Sequence, residues 1–260
     1  MHITLTKQTL LSGNVALGSS QGHLRSSEIP QMLAAAGFDW IFIDTEHGSF
    51  TPETMQDLIR SSLSTSITPI VRVADFQYSL VARALDMGAQ GIILPRVEST
   101  KVLEEAISWT KFPPEGRRGF GLTPPQIGYV EASFDEITAH ANENTLVIFQ
   151  IESQTALERA DELISVPDVD AVMIGPADLS ISLGVAGDME HPKLVDAILG
   201  VIESCEKYGR FPSIQVRDPV LAKTWIQRGM KLVGCSQAQL ILWDAVQAMA
   251  ADLRKAREDT

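Results

Sequence analysis

Eight short apolar runs recur along the chain, most of them separated by a stretch with helical periodicity. No other feature constrains the fold as strongly. The runs cover residues 14–18, 40–44, 69–73, 91–95, 145–151, 171–175, a weaker 211–215, and 231–235. They read as continuously apolar rather than alternating, which suits parallel strands covered on both faces. Between them, residues 26–36 form a helical pattern closed by Gly37, and Thr51-Pro52-Glu53 opens another with a capping hydroxyl and a proline at the first helical position. Further helical stretches cover 79–87, 99–111 and the end of the chain to about residue 254. Eight β–α units in 260 residues predict a (β/α)8 TIM barrel, whose usual length is about 250 residues. The expectation is one barrel domain over 1–260, with its core at about 13–250. An open doubly wound sheet is the alternative, and the lack of G-x-G-x-x-G after the first run argues against it.

Composition narrows the function. Twenty-one Lys and Arg against 33 Asp and Glu leave a formal net charge of −12. With no Lys/Arg-rich run to neutralise phosphates, nucleic acid is not an expected partner. No apolar run approaches the roughly 18 residues needed to cross a bilayer. The opening MHITLTKQTLLSG lacks a basic start and a long apolar core, so a cytoplasmic location is expected. Cys205 and Cys235 are no disulfide framework and read as buried apolar fillers. No G-x-S-x-G elbow is present, and Lys231 begins its run at the wrong end for a Schiff-base lysine. Residues 112–127, FPPEGRRGFGLTPPQI, form a long loop of the kind that is often functional. The charged tail after Lys255 is expected to fray.

In such a barrel, polar residues at the C-terminal ends of strands face the active site. The second run ends in Asp44-Thr45-Glu46-His47-Gly48, the third carries Arg72, and the fourth ends near Arg96 and Glu98. The fifth ends in Gln150-Ile151-Glu152-Ser153 and the sixth in Gly175-Pro176-Ala177-Asp178-Leu179-Ser180. Glu152 and Asp178 make a natural metal pair, since two carboxylates from adjacent strand ends hold one hard cation and leave positions for water and an oxygen-rich substrate. Oxygen donors favour Mg2+ or Mn2+, with Co2+ or Zn2+ able to substitute. The plainer reading of Asp178 is a helix cap. His47 is the only histidine expected on this rim. With Asp44 three residues before it and Glu46 beside it, it reads either as an acid–base group or as an exposed loop histidine. Arg72 and Arg96 either bind a substrate carboxylate or stabilise an enolate oxygen, or else form ordinary salt bridges. The segment from Gly175 to Asp178 adds backbone N–H groups suited to a carboxylate.

Six segments, in order, carry a resemblance: AAAGFDWIFIDTEHG at 34–48, PIVRV at 69–73, LDMGAQGIILPRVEST at 85–100, PPEGRRGFG at 113–121, FQIESQTALE at 149–158 and AVMIGPADLSISLG at 171–184. On these the sequence resembles the HpcH/HpaI aldolase family of metal-dependent pyruvate aldolases, over about residues 13–250. The resemblance implies a (β/α)8 barrel, assembled as a homohexamer from dimers that exchange the last helix. It implies metal ligands at Glu152 and Asp178, a base at His47 supported by Asp44, an enolate-stabilising Arg72, and Gln150 near the metal. The amides of Ala177 and Asp178 match the pyruvate-carboxylate contact. The implied reaction is reversible cleavage of a 4-hydroxy-2-oxo acid into pyruvate and an aldehyde. Two departures bear on the aldehyde: residues 18–25 are longer and more polar than the family's first βα loop, and Ala16-Leu17 stand where the prototype carries a Trp. They point away from the prototype's semialdehyde and leave a sugar-acid-derived aldehyde or oxaloacetate open. The alternative enzymes are an oxaloacetate decarboxylase and a citrate-lyase-β-like acyl-CoA lyase, though the latter would want a basic patch for nucleotide phosphates. A non-enzymatic binding barrel would predict damaged catalytic positions, and none is damaged.

Overall fold

The computed structural model describes residues 1–258. Eight parallel strands close into a barrel in chain order: β1 (Ala16–Gln21), β2 (Trp40–Asp44), β3 (Thr68–Arg72), β4 (Gly91–Leu94), β5 (Leu146–Ile151), β6 (Ala171–Ile174), β7 (Phe211–Val216) and β8 (Leu232–Gln237), which pairs back onto β1. The helices are α1 (Leu5–Leu11), α2 (Glu28–Ala35), α3 (Pro52–Leu63), α4 (Tyr78–Asp86), α5 (Thr100–Ser108) and α6 (Phe134–Asn144). They continue as α7 (Gln154–Glu158), α8 (Ala160–Ile164), α9 (Pro176–Ser182), α10 (Pro192–Tyr208), α11 (Pro219–Gln227) and α12 (Ala238–Glu258). The expected (β/α)8 barrel is the observed one.

Strand periodicity of two sorts the apolar runs into two layers. Ile41, Ile43, Val71, Ile92, Val147 and Phe149 point outward and pack under the helices. Trp40, Phe42, Ile70, Ile93, Leu146 and Ile148 point inward and fill the barrel. The inner layer is dense enough to dictate Gly18: a Cβ there would lie 2.3 Å from the Trp40 ring.

Sequence patterning does not anticipate α1. Its seven residues carry no side-chain cap, and tertiary contacts hold it instead. Leu10 enters the inner apolar cluster, Thr6 Oγ1 donates to Asp39 O at 3.0 Å, and the Thr6 N–H donates to Thr68 Oγ1 at 3.3 Å. It therefore closes the end of the barrel where the strands begin. The start of α3 matches expectation, with Pro52 in the first turn and the Thr51 hydroxyl accepting from the Thr54 N–H.

The 112–127 loop is irregular but pinned. Arg118 pairs with Asp86 at 2.8 Å and lies 4.6 Å over the Phe112 ring. Phe112 and Asn142 exchange two hydrogen bonds, and Gln126 packs near Gly88, just before β4. The loop thus lies toward the end of the barrel opposite the polar rim. Of the tail after Lys255, expected to fray, residues 256–258 continue α12 as helix and residues 259–260 lie outside the described residues. Among the described residues no helix is long and apolar enough to cross a membrane.

Candidate active site

The register of β2 against β3 sets Asp44 beside Arg72 at the C-terminal rim. Arg72 grips Asp44 with two hydrogen bonds, Nε to Oδ1 at 2.9 Å and Nη2 to Oδ2 at 2.7 Å. Its Nη1 lies 3.1 Å from Glu46 Oε2 as an ion pair and donates to Gln150 Oε1 at 3.3 Å. Phe42 supports the guanidinium from below, 5.1 Å from ring centroid to Cζ. Burial works against the Arg72 charge. The Asp44 hydrogen bond and the charges of Asp44, Glu46 and Glu152 outweigh it and hold the guanidinium above its ordinary value. Arg72 is therefore a fixed cation in a dry setting, where charge interactions are strongest.

Glu152, at the end of β5, is buried with its Oε1 accepting the Arg96 N–H at 2.7 Å. Arg96 adopts a left-handed φ of 51° to aim that N–H, while its Nε pairs with Glu46 Oε1 at 3.0 Å. On the opposite side Gly175 leaves room for the Glu152 carboxylate: a Cβ there would lie 2.8 Å from Oε2. Burial raises the Glu152 carboxyl above its ordinary value. The Arg96 hydrogen bond opposes this, the charge of Glu46 adds to it, Arg72 opposes, and Asp178 adds again. Asp178 is exposed in the first turn of α9 and does not cap the helix, whose N-cap is Gly175. Two carboxylates that repel each other at adjacent strand ends form a donor set short of positive charge, and a hard divalent cation fits it. Among the described residues no group of three or more His, Cys, Asp or Glu is arranged for a metal.

Gly175 has an ordinary φ of −93°, so replacing it with Ala tests space alone. The Gly175→Ala variant is expected to displace the Glu152 carboxylate and weaken Mn2+ binding by about 10- to 100-fold, as read by calorimetric titration. Unchanged affinity would contradict the cradle.

The raised carboxyl has a second consequence. A group whose folded value exceeds its unfolded one stabilises the fold while protonated. For Glu152 that contribution is complete below the ordinary 4.5 and is lost as pH rises through the higher folded value. In metal-free protein, the stability of wild type minus that of Glu152→Gln is therefore expected to fall with rising pH across this interval, as followed by urea denaturation. A difference that does not vary with pH would refute the assignment.

His47 stands apart from the expected arrangement. Its side chain is 70% exposed, and its Nε2 lies 4.0 Å from Glu46 Oε2. Asp44 does not meet the imidazole. Its Oδ1 accepts the backbone N–H groups of Glu46 and His47 at 3.0 and 3.3 Å and so shapes the loop that carries the ring. His47 is also not the only histidine on the rim, because β1 ends at Gln21 and His23 follows two residues later, with Gly22 packed against Gly48. His140 lies within α6, away from this rim. Cys205 is buried, and burial pushes its thiol up to about 12, so it is no nucleophile. Cys235 is only half-buried, which departs from the filler reading, and burial raises its thiol as well.

One cavity of about 270 Å3 collects Asp44, Arg72, Gln150, Glu152, Gly175, Pro176, Ala177 and Asp178. His47 lines an adjoining recess with Glu46, Arg96, Glu152 and Asp178. The cavity's other wall holds Ser20, Gln215, Arg217, Ser236, Gln237 and Leu240, from β1, β7, β8 and the segments that follow them. These residues escape the sequence reading because β1, β7 and β8 extend beyond their apolar portions into polar residues. Glu46, buried between two arginines, is missed in another way: adjacency to His47 is visible in the sequence, but its pairing is not.

Barrel, carboxylate pair and buried guanidinium place the chain among enzymes, and its relatives place it among carbon–carbon lyases. The model of the HpcH/HpaI aldolase/citrate lyase family matches residues 24–241, and the chain belongs to that family. A 4-hydroxy-2-oxo-heptane-1,7-dioate aldolase from Escherichia coli is 32% identical over 245 residues, covering 94% of this chain and 93% of that protein. A hydroxypyruvate/pyruvate aldolase from Roseobacter denitrificans is 31% identical, with 94% and 95% covered. Among solved structures, an HpcH/HpaI aldolase from Desulfitobacterium hafniense DCB-2 superposes with a TM-score of 0.89 at 27% identity, covering 98% of this chain and 96% of that one.

Proposed function

We propose that the chain is a divalent-metal-dependent aldolase that reversibly cleaves a 4-hydroxy-2-oxo acid into pyruvate and an aldehyde. The observation that carries this reading is the cradle of Glu152 between the Arg96 N–H and Gly175, beside Asp178 and within reach of the Arg72 charge. Glu152 and Asp178 would hold the cation, Mg2+ or Mn2+ by the hardness of their oxygens, and it would supply Lewis-acid polarisation of the 2-oxo group.

The chain's own residues supply the rest. The backbone N–H groups of Ala177 and Asp178, unpaired in the first turn of α9, bind the substrate carboxylate. His47 accepts the proton of the 4-hydroxyl. The O–H electron pair becomes the aldehyde C=O, the C3–C4 bond breaks, and its electrons pass into the enolate of pyruvate. Arg72, already held as a cation, stabilises the enolate oxygen without reorganising. Gln150, tied to Arg72, orients that guanidinium. Protonation at C3 completes pyruvate. A cavity of about 270 Å3 suits a small acid. Exposed Leu242, Trp243, Val246, Met249 and Leu253 on α12 support assembly into a homo-oligomer.

The test is exchange of the pyruvate C3 protons with deuterated solvent, followed by NMR. Exchange is expected with Mg2+ or Mn2+, stops on chelation and returns when metal is restored. His47→Ala is expected to lose cleavage far more than pyruvate binding. Exchange indifferent to metal would overturn the proposal.

A further inference from the structure

Glu46 is more deeply enclosed than its place just past β2 suggests. Its side chain is only 6% exposed, held between Arg72 and Arg96. Oε1 pairs with Arg96 Nε at 3.0 Å. Oε2 lies 3.1 Å from Arg72 Nη1, yet it is buried and accepts no hydrogen bond. Arg72 aims its N–H groups elsewhere: Nε and Nη2 donate to Asp44, and Nη1 donates to Gln150 Oε1. A buried acceptor without a donor is costly, so a donor that can swing onto it regains the missing hydrogen bond.

One such donor stands close. His47 Nε2 lies 4.0 Å from this same Oε2, on an exposed ring that is free to turn. A shift of about 1 Å brings the two within hydrogen-bond distance. The other ring nitrogen, Nδ1, has no partner among the described residues. Asp44 is not available to the ring. Arg72 takes both of its oxygens, and Oδ1 also accepts the Glu46 and His47 backbone N–H groups. The other charged groups lining the recess are Arg96, Glu98, Glu152 and Asp178. Arg96 is paired with Glu46, Glu152 accepts the Arg96 N–H, and Glu98 accepts the Ser153 hydroxyl.

We propose that Glu46, and not Asp44, is the positioning carboxylate of His47: its Oε2 accepts Nε2–H and so leaves Nδ1 as the bare nitrogen that takes the proton of the 4-hydroxyl. This assignment rests on the aldolase reading above, which makes His47 the base. Nδ1 gains the hydroxyl proton as the O–H electron pair moves into the aldehyde C=O. Nε2 keeps its own proton, and the Glu46 carboxylate faces the imidazolium charge that results. Loss of the Nδ1 proton, to the enolate C3 or to solvent, restores the neutral ring. Because Glu46 also pairs with Arg72, one carboxylate ties the base to the cation that stabilises the enolate.

The tautomer is the first test. Protein labelled with nitrogen-15 in its five histidines is loaded with Mg2+ and read by long-range proton–nitrogen NMR at a pH where imidazole is neutral. The His47 signals are those missing from His47→Ala. Wild type is expected to hold the Nε2–H tautomer, Asp44→Asn to leave it in place, and Glu46→Gln to give a mixture. A wild-type ring without that preference, or one that responds to Asp44→Asn and not to Glu46→Gln, overturns the proposal.

Kinetics separates positioning from scaffolding. Glu46→Gln is expected to lower kcat for cleavage about ten-fold or more while KM stays close to that of wild type. In a His47→Ala background the same change is expected to alter the residual rate less than about two-fold, because residues that act as a unit are not additive. An equal loss in both backgrounds would show that Glu46 only holds the arginines, and overturns the proposal. Wild type that exchanges pyruvate protons but fails the tautomer test rejects the Glu46 assignment alone. Wild type with no metal-dependent exchange removes the aldolase reading and this assignment together.

Discussion

Glu152→Ala and Asp178→Ala are each expected to lower carbon–carbon cleavage by about a thousand-fold. The figure follows from the several kcal/mol that a bound divalent ion contributes to a developing charge; about 4 kcal/mol corresponds to three decades of rate. The two variants should differ in everything but this loss. Asp178 is exposed, so its replacement is expected to leave the fold undisturbed and to remove only the proposed ligand. Glu152 is buried and accepts the Arg96 N–H, so its replacement by Ala also orphans a donor. Glu152→Gln keeps the shape and an acceptor for that donor while removing the charge, and it separates the two effects. The measurements are steady-state cleavage and calorimetric Mn2+ titration. Full activity with unchanged metal affinity in either Ala variant would reject the ligand assignment.

Arg72→Ala is expected to damage stability and catalysis together. The side chains of Arg72, Asp44 and Glu46 are only 11%, 10% and 6% exposed, so their pairing is a buried one. Removing this cation leaves the buried Asp44 carboxylate without an ionic partner and Glu46 with Arg96 alone, and breaking one buried pair typically costs about 3–5 kcal/mol. The same variant loses the fixed positive charge at the enolate, worth roughly 100- to 1,000-fold in rate for a preorganised donor. Arg72→Lys separates these consequences. It keeps the charge but not the two-pronged grip on Asp44, so it is expected to recover more stability than activity. Urea denaturation and cleavage kinetics on both variants decide the matter. An Arg72→Ala protein as stable as wild type would show that the buried pairs contribute nothing.

Much of this was legible in the chain. Each β–α unit announces itself by an apolar run followed by helical spacing, because a strand buried on both faces has no polar side to show. Asp44, Arg72, Gln150, Glu152 and Asp178 stand at the ends of such runs, where the barrel rule directs them to one rim, and they do line one cavity. His47 was legible as a rim residue but not in its contacts: spacing alone suggested a carboxylate on its ring, whereas Asp44 spends its oxygens on Arg72 and on backbone N–H groups. The wall of Ser20, Gln215, Arg217 and Ser236 was not legible, since polar residues beyond an apolar run look like loop.

Sequence by itself determined the number of strands, their order and the side-chain chemistry at their ends, because these follow from local periodicity and from a topology with one economical closure. Only the tertiary structure decided which of those groups meet. The sealing of the barrel floor by α1 and the pinning of Glu46 between two arginines both depend on contacts between residues far apart in the chain. Such contacts are set by the register and curvature of eight strands acting together, and no local pattern encodes them.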